Sequence, residues 1–536
     1  MGMGNKIYTL AVTLVILLFI SCNRVNREAT GTYTNPVLHA DYSDPDVIRV
    51  GDTFYMVASS FNCVPGLPVL KSKDLVSWQL TGYALNRLQP EEYFSRVRHG
   101  GGAWAPCIRY HNNEFYIYYP DPDHGIYMVK AKDPSGPWSE PVAVRQGTGM
   151  IDPSPLWDED GKAYLVYAFA GSRAGVKSVL MVSRMNAEGT AMHDGGVMVF
   201  DGHDANPTVE GPKFYKRNDY YYVFAPAGGV TNGWQLALRS KNIFGPYEEK
   251  VVMHQGNTAV NGPHQGAWVT TVSGEDWFIH FQDKGAYGRI VHLEPLKWVN
   301  DWPVIGSDED GDGTGEPVTS FSRPDAVSEW PQVSPPADDE FNGNTVGLQW
   351  QWQANPLLSW GYPSEAYGCF RLNCIARPDS MRNLWDVPNL FLQKFPDEKF
   401  NVSASLKCSL RSEGEEAGMV VMGQDYQYIS LKRTDGKLMV RVVRCMEADK
   451  GGGEEILFSE EARGGEIFFG LNVAPGALCK FSYSTDGINF REAGDLFTAK
   501  AGMWIGAKTG FFALRDGFTN DAGYADLDWF RRNDTE

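Results

Sequence analysis

The strongest constraint on this chain is a pattern that it repeats five times between Asp44 and Phe278: a polar or acidic residue beside Pro or Gly, a short apolar strand, a Gly, Asn or Asp turn, and an aromatic pair. The copies run from Ser43-Asp44-Pro45 to Phe54-Tyr55, from Trp104-Ala105-Pro106 to Phe115-Tyr116, from Ile151-Asp152-Pro153 to Ala163-Tyr164, from Val209-Glu210-Gly211-Pro212 to Tyr220-Tyr221, and from His264-Gln265-Gly266 to Trp277-Phe278. They lie roughly 45 to 60 residues apart, the length of one propeller blade and not of a solenoid turn. The pattern therefore predicts five blades around an axis. Just ahead of the innermost strand, three copies hold Asp44, Asp152 and Glu210. Radial repetition brings such positions together at one end of the central channel, so three carboxyl groups remote in sequence are expected to converge.

A second set of matches follows each aromatic pair: an apolar strand ending in a charged corner, as at Lys71-Ser72-Lys73-Asp74, Lys130-Ala131-Lys132-Asp133 and Arg239-Ser240-Lys241-Asn242. Strands such as Glu114-Phe115-Tyr116-Ile117-Tyr118 alternate with period two, and no long segment shows a helical period. The fold class expected is all-β, a five-bladed β-propeller over residues 32–316 followed by a β-sandwich of jelly-roll kind over 339–534. Residues 317–338, rich in Pro and Ser with isolated charges, read as the connection between them. Before it, Asp308-Glu309-Asp310-Gly311-Asp312-Gly313 has calcium-loop spacing, but Thr319 stands where an EF-hand needs its bidentate Glu, which favours a solvated acidic turn.

The N-terminus is a targeting segment: Lys6, an apolar run over residues 10–20 too short to span a bilayer, then Ser21-Cys22. This resembles a bacterial lipoprotein cleavage site, with residues 1–21 removed, Cys22 carrying the lipid, and residues 22–31 as a tether. The expected location is the cell envelope, periplasmic or outer-surface, with the membrane met through the lipid alone. A net charge of -18 excludes nucleic acid as a partner, because the surface field repels phosphates. The cysteines after Cys22 have no metal-like spacing and form no framework, although Cys369 and Cys374 are candidates to pair in an oxidising compartment.

Three carboxyl groups around one channel raise one another's pKa, an arrangement that is costly unless it is used. Two carboxyls facing across a pocket suit glycosidic cleavage, one protonating the departing oxygen and one activating water. A third can hold the acid protonated.

On these motifs the chain, from Asn35-Pro36-Val37-Leu38 to about Pro317, resembles glycoside hydrolase family 43. The resemblance implies a five-bladed propeller that hydrolyses arabinose- or xylose-containing plant polysaccharide with inversion. It implies Asp44 as general base, Asp152 as the residue that tunes pKa and orientation, and Glu210 as general acid. By the same resemblance His264 lies in the channel near substrate, where it helps to hold a hydrated calcium or sodium ion, Arg289 hydrogen-bonds sugar hydroxyls beside a catalytic carboxylate, and Trp104 and Phe61 are aromatic walls. The second domain resembles the concanavalin-like sandwich of β-xylosidase-type members, in which Asp339 and Asp528 match positions that bind a structural calcium and a sandwich loop narrows the pocket to an exo-type site. No cofactor is implied for the chemistry itself. Two other readings stay open: a retaining fructan hydrolase on a related propeller, against which Ser43-Asp44-Pro45-Asp46 and Glu210-Gly211-Pro212 depart from the expected motifs, and a surface propeller that binds glycan without cleaving it.

Overall fold

A computed structural model describes residues 31–325, 330–377 and 380–533. The targeting segment, including Cys22, lies outside them. Among the described residues no helix is long and apolar enough to cross a membrane, and the α-helices are the single turns Gly171–Ala174 and Gly229–Asn232.

Five four-stranded antiparallel sheets span residues 46–85, 107–146, 150–201, 213–254 and 264–305, each a meander of consecutive strands. Tight turns permit the meander. Asn112-Asn113 and Asn300-Asp301 each have two successive positive φ values (49° and 60°, 52° and 59°), the backbone of a turn whose twist matches that of its strands.

The ladders explain the aromatic pairs. The first residues paired between the two inner strands are Asp46 with Val57, Cys107 with Tyr118, Lys213 with Phe224, and, past a bulge, Ser154 with Val166 and Ala267 with Ile279. Counted from these pairs, the equivalent doublets are Phe54-Tyr55, Phe115-Tyr116, Ala163-Tyr164, Tyr221-Tyr222 and Asp276-Trp277. The sequence alignment is therefore off by one residue in the fourth and fifth blades. Successive strand residues point to opposite faces, so a doublet can serve two neighbours. Phe115 packs in the core between blades one and two and Tyr116 in that between two and three, while Tyr222 faces the gap between four and five and Trp277 the gap between five and one.

The ring closes without a shared sheet. Thr32–Thr34 pairs with Ser320–Ser322, and Leu38 bridges to Val291 in blade five. Buried Glu294 fastens this seam, its carboxylate accepting from Val318 N at 2.8 Å, His280 Nε2 at 3.2 Å and Asn35 Nδ2 at 3.3 Å.

The second domain is a sandwich of a seven-stranded and an eight-stranded sheet. The last strand, Tyr524–Arg532, lies in the first of these sheets, and Phe530 bridges to Asp339 at the start of the domain. The domain docks on blade one. Val64 and Trp352 exchange backbone hydrogen bonds (2.9 and 2.6 Å), Asn62 Nδ2 reaches Gln353 O at 2.7 Å, and Gln351 Nε2 reaches Pro65 O at 2.8 Å. From blade five, Tyr287 enters the sandwich core, donating to Glu398 O at 2.9 Å and accepting from Ala477 N at 2.8 Å. The seven described cysteines are all free and buried. Cys369 and Cys374 are therefore not a disulfide: they are small residues packed around the sandwich.

Because Tyr287 belongs to one domain and packs in the core of the other, the two should unfold together. Tyr287→Ala is expected to cost about 3–5 kcal/mol and to lower a single calorimetric transition. A sandwich transition left at its wild-type temperature would contradict this.

Candidate active site

The same backbone device presents the first two acids. Asp44 and Asp152 adopt left-handed φ values of 56° and 57°, each before a proline, a conformation that Asp tolerates better than most residues. In the fourth blade the equivalent residue is Gly211, also at φ 57° before a proline. Glu210 thus stands one position earlier than the two aspartates, and its extra methylene offsets the difference in reach. Gly211 cannot be replaced cheaply, since a Cβ there would lie 2.6 Å from Gln265 Cγ. Its N–H donates to Asp152 Oδ2 at 2.8 Å, which joins blades three and four at the site.

The carboxyls have unequal surroundings. Asp44 is buried and accepts from Arg289 Nη1 at 3.2 Å on Oδ1 and 3.5 Å on Oδ2, and from the Ser59 hydroxyl. Burial raises its pKa, while Arg289 and Ser59 oppose the rise. Asp152 is pushed up to about 7, chiefly by burial and then by the charge of Asp44, against the pull of the Gly211 N–H. Glu210 is pushed up to about 8 by burial, then by Asp152, then by Asp44. Its side chain keeps 32% exposure, so it sits in a confined pit and still meets solvent. The three acids feel one another and cannot all ionise near neutrality. Among them, Asp44 is the one with a guanidinium in hydrogen-bond contact.

His264 Nε2 lies 3.0 Å from Glu210 Oε1. Burial, then Arg289, holds the imidazole down at about 3, so the contact is a hydrogen bond between a neutral ring and the acid and not an ion pair. His264 Nδ1 is buried and has no hydrogen-bond partner among the described residues.

Phe61 and Trp104 meet edge to face at 6.1 Å, with Phe61 buried and Trp104 part-exposed. The sandwich adds a third ring that the repeat could not reveal. Trp504, 48% exposed, stands 6.4 Å from Trp104 and 5.9 Å from the Arg289 guanidinium carbon, and with Met503 it packs on Gly100. Beside Arg289 its loop borders a cavity of about 180 Å³. Ser59 and Trp504 went unseen because neither lies in a repeated position.

Asp339 and Asp528 both accept from nearby donors. Asp339 accepts from Phe341 N (2.9 Å), Gly347 N (2.7 Å) and Trp350 Nε1 (3.0 Å), and Asp528 accepts from Ser405 Oγ at 3.3 Å with Lys407 3.9 Å away. A cation bound there would compete with these donors. Asp308, Asp310 and Asp312 offer oxygens within 4.8 Å of one another, and all three accept N–H groups of their own turn.

Residues 33–303 match the family model described as glycosyl hydrolases family 43, and residues 338–533 match that of the beta xylosidase C-terminal concanavalin A-like domain. A protein of Xylanibacter ruminicola to which beta-xylosidase activity is attributed is 38% identical over 90% of this chain and 86% of its own length. The beta-xylosidase of Formosa agariphila is 32% identical over 94% and 90%, and the non-reducing end alpha-L-arabinofuranosidase of Bacteroides ovatus is 30% identical over 94% and 95%. The solved structure of the BlXynB protein from Bacillus licheniformis superposes with a TM-score of 0.80 at 27% identity, covering 94% of this chain and 99% of that one.

The raised pKa of Glu210 has a consequence for stability. A carboxyl whose folded value lies above its unfolded one keeps its proton longer in the folded state. It therefore favours folding fully below about 4.5 and loses that contribution as pH rises toward 8. Glu210→Gln should melt higher than wild type at pH 8 to 9, with the gap closing by about pH 4. A gap that is constant with pH in thermal melts would refute the assignment.

Proposed function

The chain belongs to glycosyl hydrolase family 43, and from that premise we propose that it is an inverting exo-glycosidase releasing non-reducing-end β-D-xylose or α-L-arabinofuranose from plant hemicellulose or pectin side chains. The observation that carries this reading is the division of labour in the pit. Asp44 has Arg289 and Ser59 to stabilise its anion, whereas Glu210, with no cation in hydrogen-bond contact, is held protonated near neutrality.

Asp44, ionised, takes a proton from a water that attacks the anomeric carbon. Glu210, with its proton still in place, donates it to the departing oxygen on the opposite side of the sugar. Asp152 works through charge, keeping Glu210 protonated, and through its bond to Gly211 fixes where Glu210 starts. Neutral His264 orients Glu210. Phe61, Trp104 and Trp504 offer apolar faces to the C–H face of a pentose, and the sandwich loop that carries Trp504 borders the site beside Arg289. Arg289 spans both tasks, pairing with Asp44 and presenting its remaining N–H donors to sugar hydroxyls.

The chemistry is complete with these side chains. A hydrated calcium ion in the channel is a compatible addition, because the unpartnered Nδ1 of His264 can accept from an ion-bound water. We place the mature protein at the bacterial cell envelope, anchored through Cys22. The names of the relatives support both sugars, and xylose and arabinofuranose present similar hydroxyls.

Aryl β-xylosides and α-L-arabinofuranosides test the reading directly. Proton NMR should show the inverted anomer first, and first-formed product of retained configuration would exclude Asp44 as a base acting on water. Glu210→Gln should lose about 10²–10⁴-fold in rate on a glycoside with a poor leaving group, and far less on a 2,4-dinitrophenyl glycoside, whose leaving group needs no proton. Equal losses on both would remove Glu210 from the role of acid.

A further inference from the structure

Asp41 takes no part in that chemistry, yet it is buried three residues before Asp44 and both its carboxylate oxygens are in use. Oδ1 accepts the Arg289 N–H at 2.9 Å and the Ser43 hydroxyl at 3.2 Å. Oδ2 accepts the N–H of Gly506 at 3.0 Å, from the sandwich loop that carries Trp504. The main-chain oxygen of Asp41 accepts from Lys394 Nζ, a part-buried amine on the sandwich strand Phe391–Lys394 that also lies 4.9 Å above the Tyr42 ring. Tyr42 N in turn donates to Arg289 O at 3.0 Å, so both backbone groups of Arg289 are held by residues 41 and 42.

Two glycines make the junction possible. A Cβ on Gly288, at φ 74°, would lie 2.5 Å from Asp41 Cγ, and one on Gly506 would lie 2.7 Å from Gly288 N. Propeller and sandwich backbones therefore approach as closely as the absence of side chains allows, with the carboxylate of Asp41 bonded to both. The contact continues through Ala507 N to Ala286 O at 2.7 Å.

We propose that Asp41 is a positioning residue for the glycosidase reaction: one carboxylate locks the backbone of Arg289, whose guanidinium holds Asp44, to the sandwich loop that brings Trp504 over the pit. The sandwich is then a working part of the pocket. This rests on the reading of Asp44 as the base. Asparagine at position 41 keeps the shape but has one acceptor oxygen in place of two, and its NH₂ must face either Arg289 N–H or Gly506 N–H. One of the two segments is released.

The test is a double-mutant cycle on full-length protein with aryl xyloside and arabinofuranoside, using Asp41→Asn, Trp504→Ala and the pair, with thermal melts alongside. Asp41→Asn should lower kcat/KM by about 10²-fold, the scale of a misplacement of about 1 Å. Once Trp504 is gone it should cost much less, because part of the loss passes through that ring. A purely structural aspartate would lower the melting temperature and leave the two kinetic losses additive. Should Asp41→Asn fail to fold, Gly506→Ala loosens the same junction from the sandwich side and should reproduce the kinetic loss. Additive losses, or kcat/KM within twofold of wild type for the variant that folds, overturn the inference alone. A wild-type protein that cleaves neither glycoside overturns it together with the proposed function.

Discussion

The guanidinium of Arg289 is the charge on which the catalytic end of the molecule depends. Three carboxyls drawn to one pit would each favour the neutral form, because burial and mutual repulsion act in the same direction. Arg289 breaks that symmetry by lying against one of them, Asp44, at 3.2 Å. An anion and a neutral acid can then stand in one cavity at the same pH, which is what splitting a glycosidic bond between a base and an acid requires. The rest of the site can be understood as means of holding Arg289 in place: a backbone gripped by Asp41 and Tyr42, and a guanidinium between the rings of Phe281 and Trp504 at 4.8 and 5.9 Å.

Much of this was visible in the sequence because the propeller writes its geometry five times over. The repeat identified the blades, and the acidic members identified the channel end where Asp44, Asp152 and Glu210 meet. The alignment slipped by one residue in the fourth and fifth blades, where tyrosines at 220, 221 and 222 and the aromatics at 277 and 278 make neighbouring registers look alike. Only the hydrogen-bonded ladder separates them, and it shows Gly211, not Glu210, at the position of the aspartates. Asp41 and Trp504 were not legible, since nothing in a linear sequence links residues that meet only when two domains close on each other. The resemblance singled out Asp339, but not that its carboxylate accepts the N–H groups of Phe341 and Gly347.

The aromatic doublets also explain how a ring without a shared closing sheet holds together. The doublets of the first four blades send one side chain to the blade before and one to the blade after, so much of what joins neighbouring blades is the hydrophobic effect. The gap between blades five and one is packed in the same way, with Trp277 in its core. Buried Glu294 adds polar contacts there, tying Asn35 and Val318 from the two ends of the propeller to blade five.

Asp41 and Gly506 are separated by 465 residues. Chain growth runs from one to the other, so the acids of the pit are all synthesised long before the loop that completes their enclosure. A nascent or prematurely ended polypeptide would carry Asp44, Asp152 and Glu210 with Trp504 missing and Oδ2 of Asp41 lacking its cross-domain donor. The junction at Asp41 is thus among the last contacts to form during biosynthesis, made only when the far end of the polypeptide has folded back onto the beginning.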